Sequence, residues 1–163
     1  MKNVFYDSVL YSFQNKELSL DQRRGILNII PKKDKDIRYL KNWRPLSLLN
    51  TNYKIIAKVL ASRMQRILHK IINNDQSGYI KGRYIGENIR KILEVISFMD
   101  EKKLSGILLQ LDFEKAFDSM SWQFLFKTLE KFNFGPKFIS FIKTIYNKPL
   151  CCVTNNGYHS EFF

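Results

Sequence analysis

Residues 107–122 read ILLQLDFEKAFDSMSW. An aliphatic run ends in Asp112, and Asp118 follows six residues later, after Ala116-Phe117. The run predicts a strand over 106–112 with both faces covered, since few polar residues interrupt it. A carboxylate at the end of such a strand is costly unless a cation or hydrogen-bond donors meet it. Two readings of Asp112 follow. It caps the next turn or pairs with Lys115, or it holds a divalent cation, which takes carboxylate and phosphate oxygens. Asp118, just before a helical pattern and beside Ser119, reads first as an N-cap and second as catalytic. Phe117 walls a pocket or belongs to the core.

Outward from that stretch the pattern is mixed. Val4, Phe5, Val9, Leu10 and Phe13 have helical spacing. Residues 25–31, GILNIIP, predict a strand stopped by Pro31, and WRPLSLL predicts another, since Pro45 disfavours helix at Arg44. Asn50 and Thr51 are N-cap candidates for a helix over 52–72, with Ile56, Leu60, Met64, Ile67 and Ile71 on one side. A second helix is expected over 87–102, after a connection carrying Gly78, Gly82 and Gly86. Two more follow, MSWQFLFKTLEKF and the Pro136-initiated PKFISFIKTIYN. Asn156-Gly157 then marks a hairpin turn. The class is α+β, with helices outnumbering strands.

A chain of 163 residues, 45% apolar, is long enough for one folded domain and is not of disordered composition. No apolar run approaches the ~20 residues of a membrane span, and the N-terminus lacks a secretory signal pattern. Adjacent Cys151 and Cys152 make no disulfide framework, so an intracellular compartment is expected. The net charge of +12 is uneven: residues 23–83 hold fifteen Lys/Arg against three Asp/Glu, and the remainder balances at twelve and twelve. With Trp43, Tyr53, Tyr79 and Tyr84 interleaved, the block favours a nucleic-acid partner over a merely solvated surface.

The residues converge on a family. LDFEKAFDSMSW resembles the first palm motif of reverse transcriptases, especially those of non-LTR (LINE-type) retrotransposons. RRGILNIIPKKDKD and LKNWRPLSLLNTNYKIIAKVLASRM are similar to the fingers of those enzymes, and DQSGYIKGRYIGENI to their next fingers motif. TLEKFNFGPKFISFIKTIYNKPLCCVTNNGYHSEFF is similar to the segment between the first two palm motifs. The resemblance spans about residues 20–163, four motifs in order. It implies the fingers and partial palm of a right-hand polymerase, helix-rich with a small incomplete antiparallel sheet. The implied organisation is an N-terminal helix and connection (1–22), a basic fingers region (23–105), and the start of the palm (106–163), cut before the second palm motif.

The resemblance also implies roles. Asp112, with the backbone at Phe113, would bind two catalytic Mg²⁺ ions. Phe117 would be the gate that rejects a ribose 2′-OH, which finds no partner on a ring. Arg44 and Lys33, with Lys32 as the near alternative, would grip the triphosphate of a dNTP; Arg suits phosphate through bidentate bonding. Gln76, Gly78, Gly82 and Arg83 would lie near the RNA template, the glycines allowing close backbone approach. A DNA primer completes the implied partners, and nuclear work follows from the family although no targeting signal is legible. The family's Tyr-x-Asp-Asp carboxylates are absent, since Glu130 and Glu161 are the only acids after Asp118. Two-metal transfer needs several carboxylates, so the expectation is a truncated, inactive polymerase piece; the alternative is a non-catalytic basic RNA/DNA-binding module. An unpaired apolar strand at 106–112 would also make the chain prone to aggregate.

Overall fold

The computed structural model describes residues 2–113 and 115–163. Two compact units form, residues 1–60 with 122–163, and residues 61–121. Among the described residues no helix is long and apolar enough to cross a membrane.

The first unit opens with α1 (Lys2–Gln14) and a short α2 (Leu20–Arg23). In α2, Ser19 and Gln22 satisfy each other's backbone N–H groups as a capping box. β1 (Arg24–Pro31) pairs antiparallel with β2 (Trp43–Leu49), from Gly25 opposite Leu49 to Pro31 opposite Trp43. The residues after β2 begin α3 (Thr51–Ile71), where Asn50 is the N-cap: its Oδ1 accepts from the Asn52 N–H at 2.8 Å.

Residues 122–163 add α5 (Trp122–Lys131) and α6 (Pro136–Ile145), then β3 (Leu150–Asn155) and β4 (Tyr158–His159). The β3–β4 turn places Asn156 at φ 49° and Gly157 at φ 82°, the left-handed pair a two-residue hairpin needs. Leu18, Ile56, Leu60, Leu129, Ile139, Ile142 and Cys152 are buried here, and Phe13 of α1 meets Phe141 of α6 at 4.4 Å between ring centres.

The sheet order is β2-β1-β3-β4. It is mixed, where an antiparallel sheet was expected: β1 runs parallel to β3, with Arg24 opposite Leu150 and Asn28 opposite Thr154. Parallel pairing requires a long crossover, and the chain between Pro31 and Leu150 supplies it.

The second unit holds the rest of α3, a connection over 72–85, α4 (Gly86–Glu101), and residues 102–121. The strand expected over 106–112 is not formed; residues 104–113 join no ladder, and Ile107 is 96% exposed. A strand exists only where a neighbour takes its N–H and C=O groups, and no described segment does so here. The apolar side of α4 is likewise uncovered, with Ile89 and Leu93 exposed. Ile107 and Leu108 line a shallow cleft of about 370 Å³ with Ile92, Val95, Ile96 and Met99.

Candidate nucleic-acid interface

In the first unit the basic loop after β1 is tied by its own polar groups. The Lys32 N–H donates to the Asn42 carbonyl at 2.8 Å, and Lys32 Nζ to the Lys41 carbonyl at 2.8 Å. Trp43 Nε1 donates to the Ile37 carbonyl at 2.8 Å. Arg38 grips the Asp36 carboxylate, with Nε at 3.0 Å and Nη2 at 2.8 Å. That guanidinium holds the Asp36 carboxyl below its ordinary range, and the Arg38 pKa rises in turn. Lys32 is therefore engaged at the loop base while Lys33 stays exposed. Arg44 is exposed on β2, opposite Ile30, at the edge of the sheet. Tyr53 is half-buried, and its hydroxyl pKa is raised by burial and then by Tyr146.

The second unit brings Gln76, Gly78, Gly82 and Arg83 into one loop. Arg83 is turned inward. Its Nη1 donates to the carbonyls of Asn73 and Gln76, and its Nη2 to those of His69 and Ile72 and to Asn74 Oδ1. These include carbonyls that the end of α3 leaves without a helical donor, and a cation there also meets the negative end of the helix dipole.

Gln65, on α3, fixes the loop further along. Its Nε2 donates to the Tyr79 carbonyl at 2.8 Å, and its Oε1 accepts from the Lys81 N–H at 3.2 Å. On the α4 side, Lys91 meets the Asp75 carboxylate at 2.7 Å and Asn88 Nδ2 donates to the Asp75 carbonyl at 2.9 Å. The Lys91 ammonium lowers the Asp75 pKa by hydrogen bonding and by charge. Gly78 and Gly82 face open space, and Gly82 has φ 86°, where only glycine is unstrained.

Asp112, Phe113 and Phe117 are exposed in the same unit. Phe117 meets Tyr79 edge-on, with ring centres 5.5 Å apart and planes at 89°. Among the described residues no three His, Cys, Asp or Glu side chains stand together as a metal site. Asp112 offers one carboxylate where a two-Mg²⁺ centre needs several. The described residues do not complete such a centre.

The loop-fixing roles of Gln65 and Arg83 were not singled out in the sequence. A cationic residue downstream of the helix end was the available signal for Arg83; Gln65 carried none.

A profile of the family described as reverse transcriptase (RNA-dependent DNA polymerase) matches residues 30–163. Over 152 residues the chain is 41% identical to the transposon TX1 uncharacterized 149 kDa protein of Xenopus laevis, covering 93% of this chain and 12% of that protein. Over 105 residues it is 28% identical to the retrovirus-related Pol polyprotein from type-1 retrotransposable element R2 of Popillia japonica, covering 63% of this chain and 14% of that one.

Proposed function

This chain belongs to the reverse transcriptase family, of the kind that non-LTR retrotransposons encode, and on that premise we propose that it supplies the fingers and first palm segment of a right-hand, RNA-directed DNA polymerase. The single observation that carries this reading is the family match over 30–163. The basic bias of residues 23–83 supports it, because template, primer and dNTP are all polyanions.

In this reading Arg44 and Lys33 receive the triphosphate, and Lys32 braces the loop that presents Lys33. The exposed side chains of Lys33 and Arg44 support the assignment, as does the hold of Lys32 on the Lys41 carbonyl. Phe117 walls off the sugar 2′ position. The loop carrying Gln76, Gly78 and Gly82 lies along the RNA template, and Arg83 belongs to the same loop. Asp112 and the Phe113 backbone serve as the first anchor of the Mg²⁺ pair, which would stabilise the transferring phosphate when bound. Work on chromosomal DNA would take the whole protein into the nucleus.

Two measurements test the reading. Binding of an RNA–DNA hybrid should weaken with salt; if about five phosphates are neutralised, the log–log slope lies near −4. A flat salt dependence would remove the nucleic-acid reading. Primer extension on an RNA template with Mg²⁺ and dNTPs should give no product with the 163-residue chain alone. Extension abolished by Asp112→Ala would establish the anchor and overturn the expected inactivity.

A further inference from the structure

Five aromatic residues lie within or beside the basic stretch: Tyr39, Trp43, Tyr53, Tyr79 and Tyr84. Tyr39 lies beneath the Lys41 ammonium, which stands 5.5 Å from its ring centre. Trp43 donates to the Ile37 carbonyl. Tyr53 is half-buried. The Tyr84 ring is 72% exposed, and one edge lies so close over Gly86 that a Cβ there would collide with it.

Tyr79 differs. It is 82% exposed, and its backbone sits at φ 60°. A non-glycine residue in that conformation is strained, and an exposed ring gains little from burial in return. An exposed aromatic alone needs no explanation; one held in strained backbone does.

The surrounding bonds maintain that conformation. Gln65 holds the Tyr79 carbonyl and the Lys81 N–H, on either side of Ile80. Ile80 and Ser77 are buried, anchoring the loop on both sides of the displayed ring. Arg83 closes the loop base through five hydrogen bonds. Phe117, itself 73% exposed, supports the Tyr79 ring edge-on and leaves both rings open to solvent. The flanking charged residues of the loop, Lys81 and Arg83, are cationic, and residues 76–84 contain no acid.

We propose that Tyr79 is a stacking platform for an unpaired nucleobase of a single nucleic-acid strand. The inference rests on the nucleic-acid reading above and names the side chain that receives a base. A fixed aromatic loses little conformational entropy on binding, every base offers it a π-face, and a neighbouring lysine suits the adjoining phosphates.

The probe is a fluorescently labelled oligouridylate of about ten nucleotides, titrated by anisotropy against the whole chain. Stacking of one base is worth ~5–150-fold in affinity; Tyr79→Ala should weaken binding about tenfold with the salt slope unchanged. Tyr79→Gly should weaken it equally while keeping the fold, because glycine takes φ 60° without strain. Tyr79→Trp should retain the affinity. A strand made of abasic sugars should lose the same factor with the wild-type chain and nothing further with Tyr79→Gly. Tight, salt-dependent wild-type binding that neither Tyr79→Gly nor base removal weakens would overturn the stacking role while leaving the nucleic-acid reading intact. No salt-dependent binding by the wild type would overturn both.

Discussion

Arg83→Ala removes the side chain that closes the end of α3, and the structure sets the size of the loss. Its guanidinium makes two bonds from Nη1, to Asn73 and Gln76, and three from Nη2, to Ile72 at 2.9 Å and to His69 and Asn74 at 3.3 Å. The three shorter bonds carry most of the effect. The site is half-exposed, so each counts at the ordinary net value of ~1 kcal/mol rather than the larger value of a buried charged bond. Loss of the cation from the helix C-terminus adds ~0.5 kcal/mol. The sum is about 3.5 kcal/mol, which lowers the melting temperature by roughly 7–14 °C in a domain of this size. Amide hydrogen exchange should localise the damage to residues 69–82. Arg83→Lys should recover little, since one ammonium cannot span acceptors that the planar fork reaches together. The rival role is a direct template contact. In that case Arg83→Ala would leave melting and exchange unchanged and would make the salt slope for single-stranded RNA shallower by ~0.7. That pair of results would refute the clamp.

Three further outcomes follow from the same geometry. Leu18→Ala, at a side chain only 1% exposed, should cost about 2–5 kcal/mol by opening a cavity, read by urea unfolding; a loss under ~1 kcal/mol would mean the site collapses freely. Asp75 has a depressed folded pKa through Lys91, so its contribution is present above the unfolded value near ~4 and is lost as pH falls through the folded value. Lys91→Met should return the Asp75 carboxyl midpoint to the ordinary range in an NMR titration, and an unmoved midpoint would exclude the pair as its cause. Leu109→Glu with Leu111→Glu changes two exposed aliphatic residues; size-exclusion chromatography should show less self-association with stability altered by under ~1 kcal/mol for the pair.

Elements announced by local chemistry were legible in the sequence. Asn50 caps α3, Pro136 starts α6 and Asn156-Gly157 turns the final hairpin, each through an interaction among near neighbours. The β1–β3 pairing was not legible, because the pattern in GILNIIP records burial and not which strand lies alongside or in which direction. Residues 106–112 show the complementary limit. Their aliphatic run has the composition of a strand, but a strand is a property of two segments, and among the described residues none pairs with this one.

The site divides along the same line. The excess of cations over residues 23–83 pointed to a polyanion without saying which cations face it. That is decided by where the fold leaves carbonyl groups without donors. The turn before β2 presents the Lys41 carbonyl to Lys32, and the end of α3 presents several to Arg83. Those charges satisfy the protein's own backbone, and they hold in place the exposed neighbours, Lys33 in one unit and Tyr79 in the other. A basic residue beside a loop can therefore serve nucleic acid indirectly, by fixing the backbone that carries the contacting side chain. Counting charges overstates the number of phosphate contacts by those bound internally, and a salt slope for Arg83→Ala measures that difference directly.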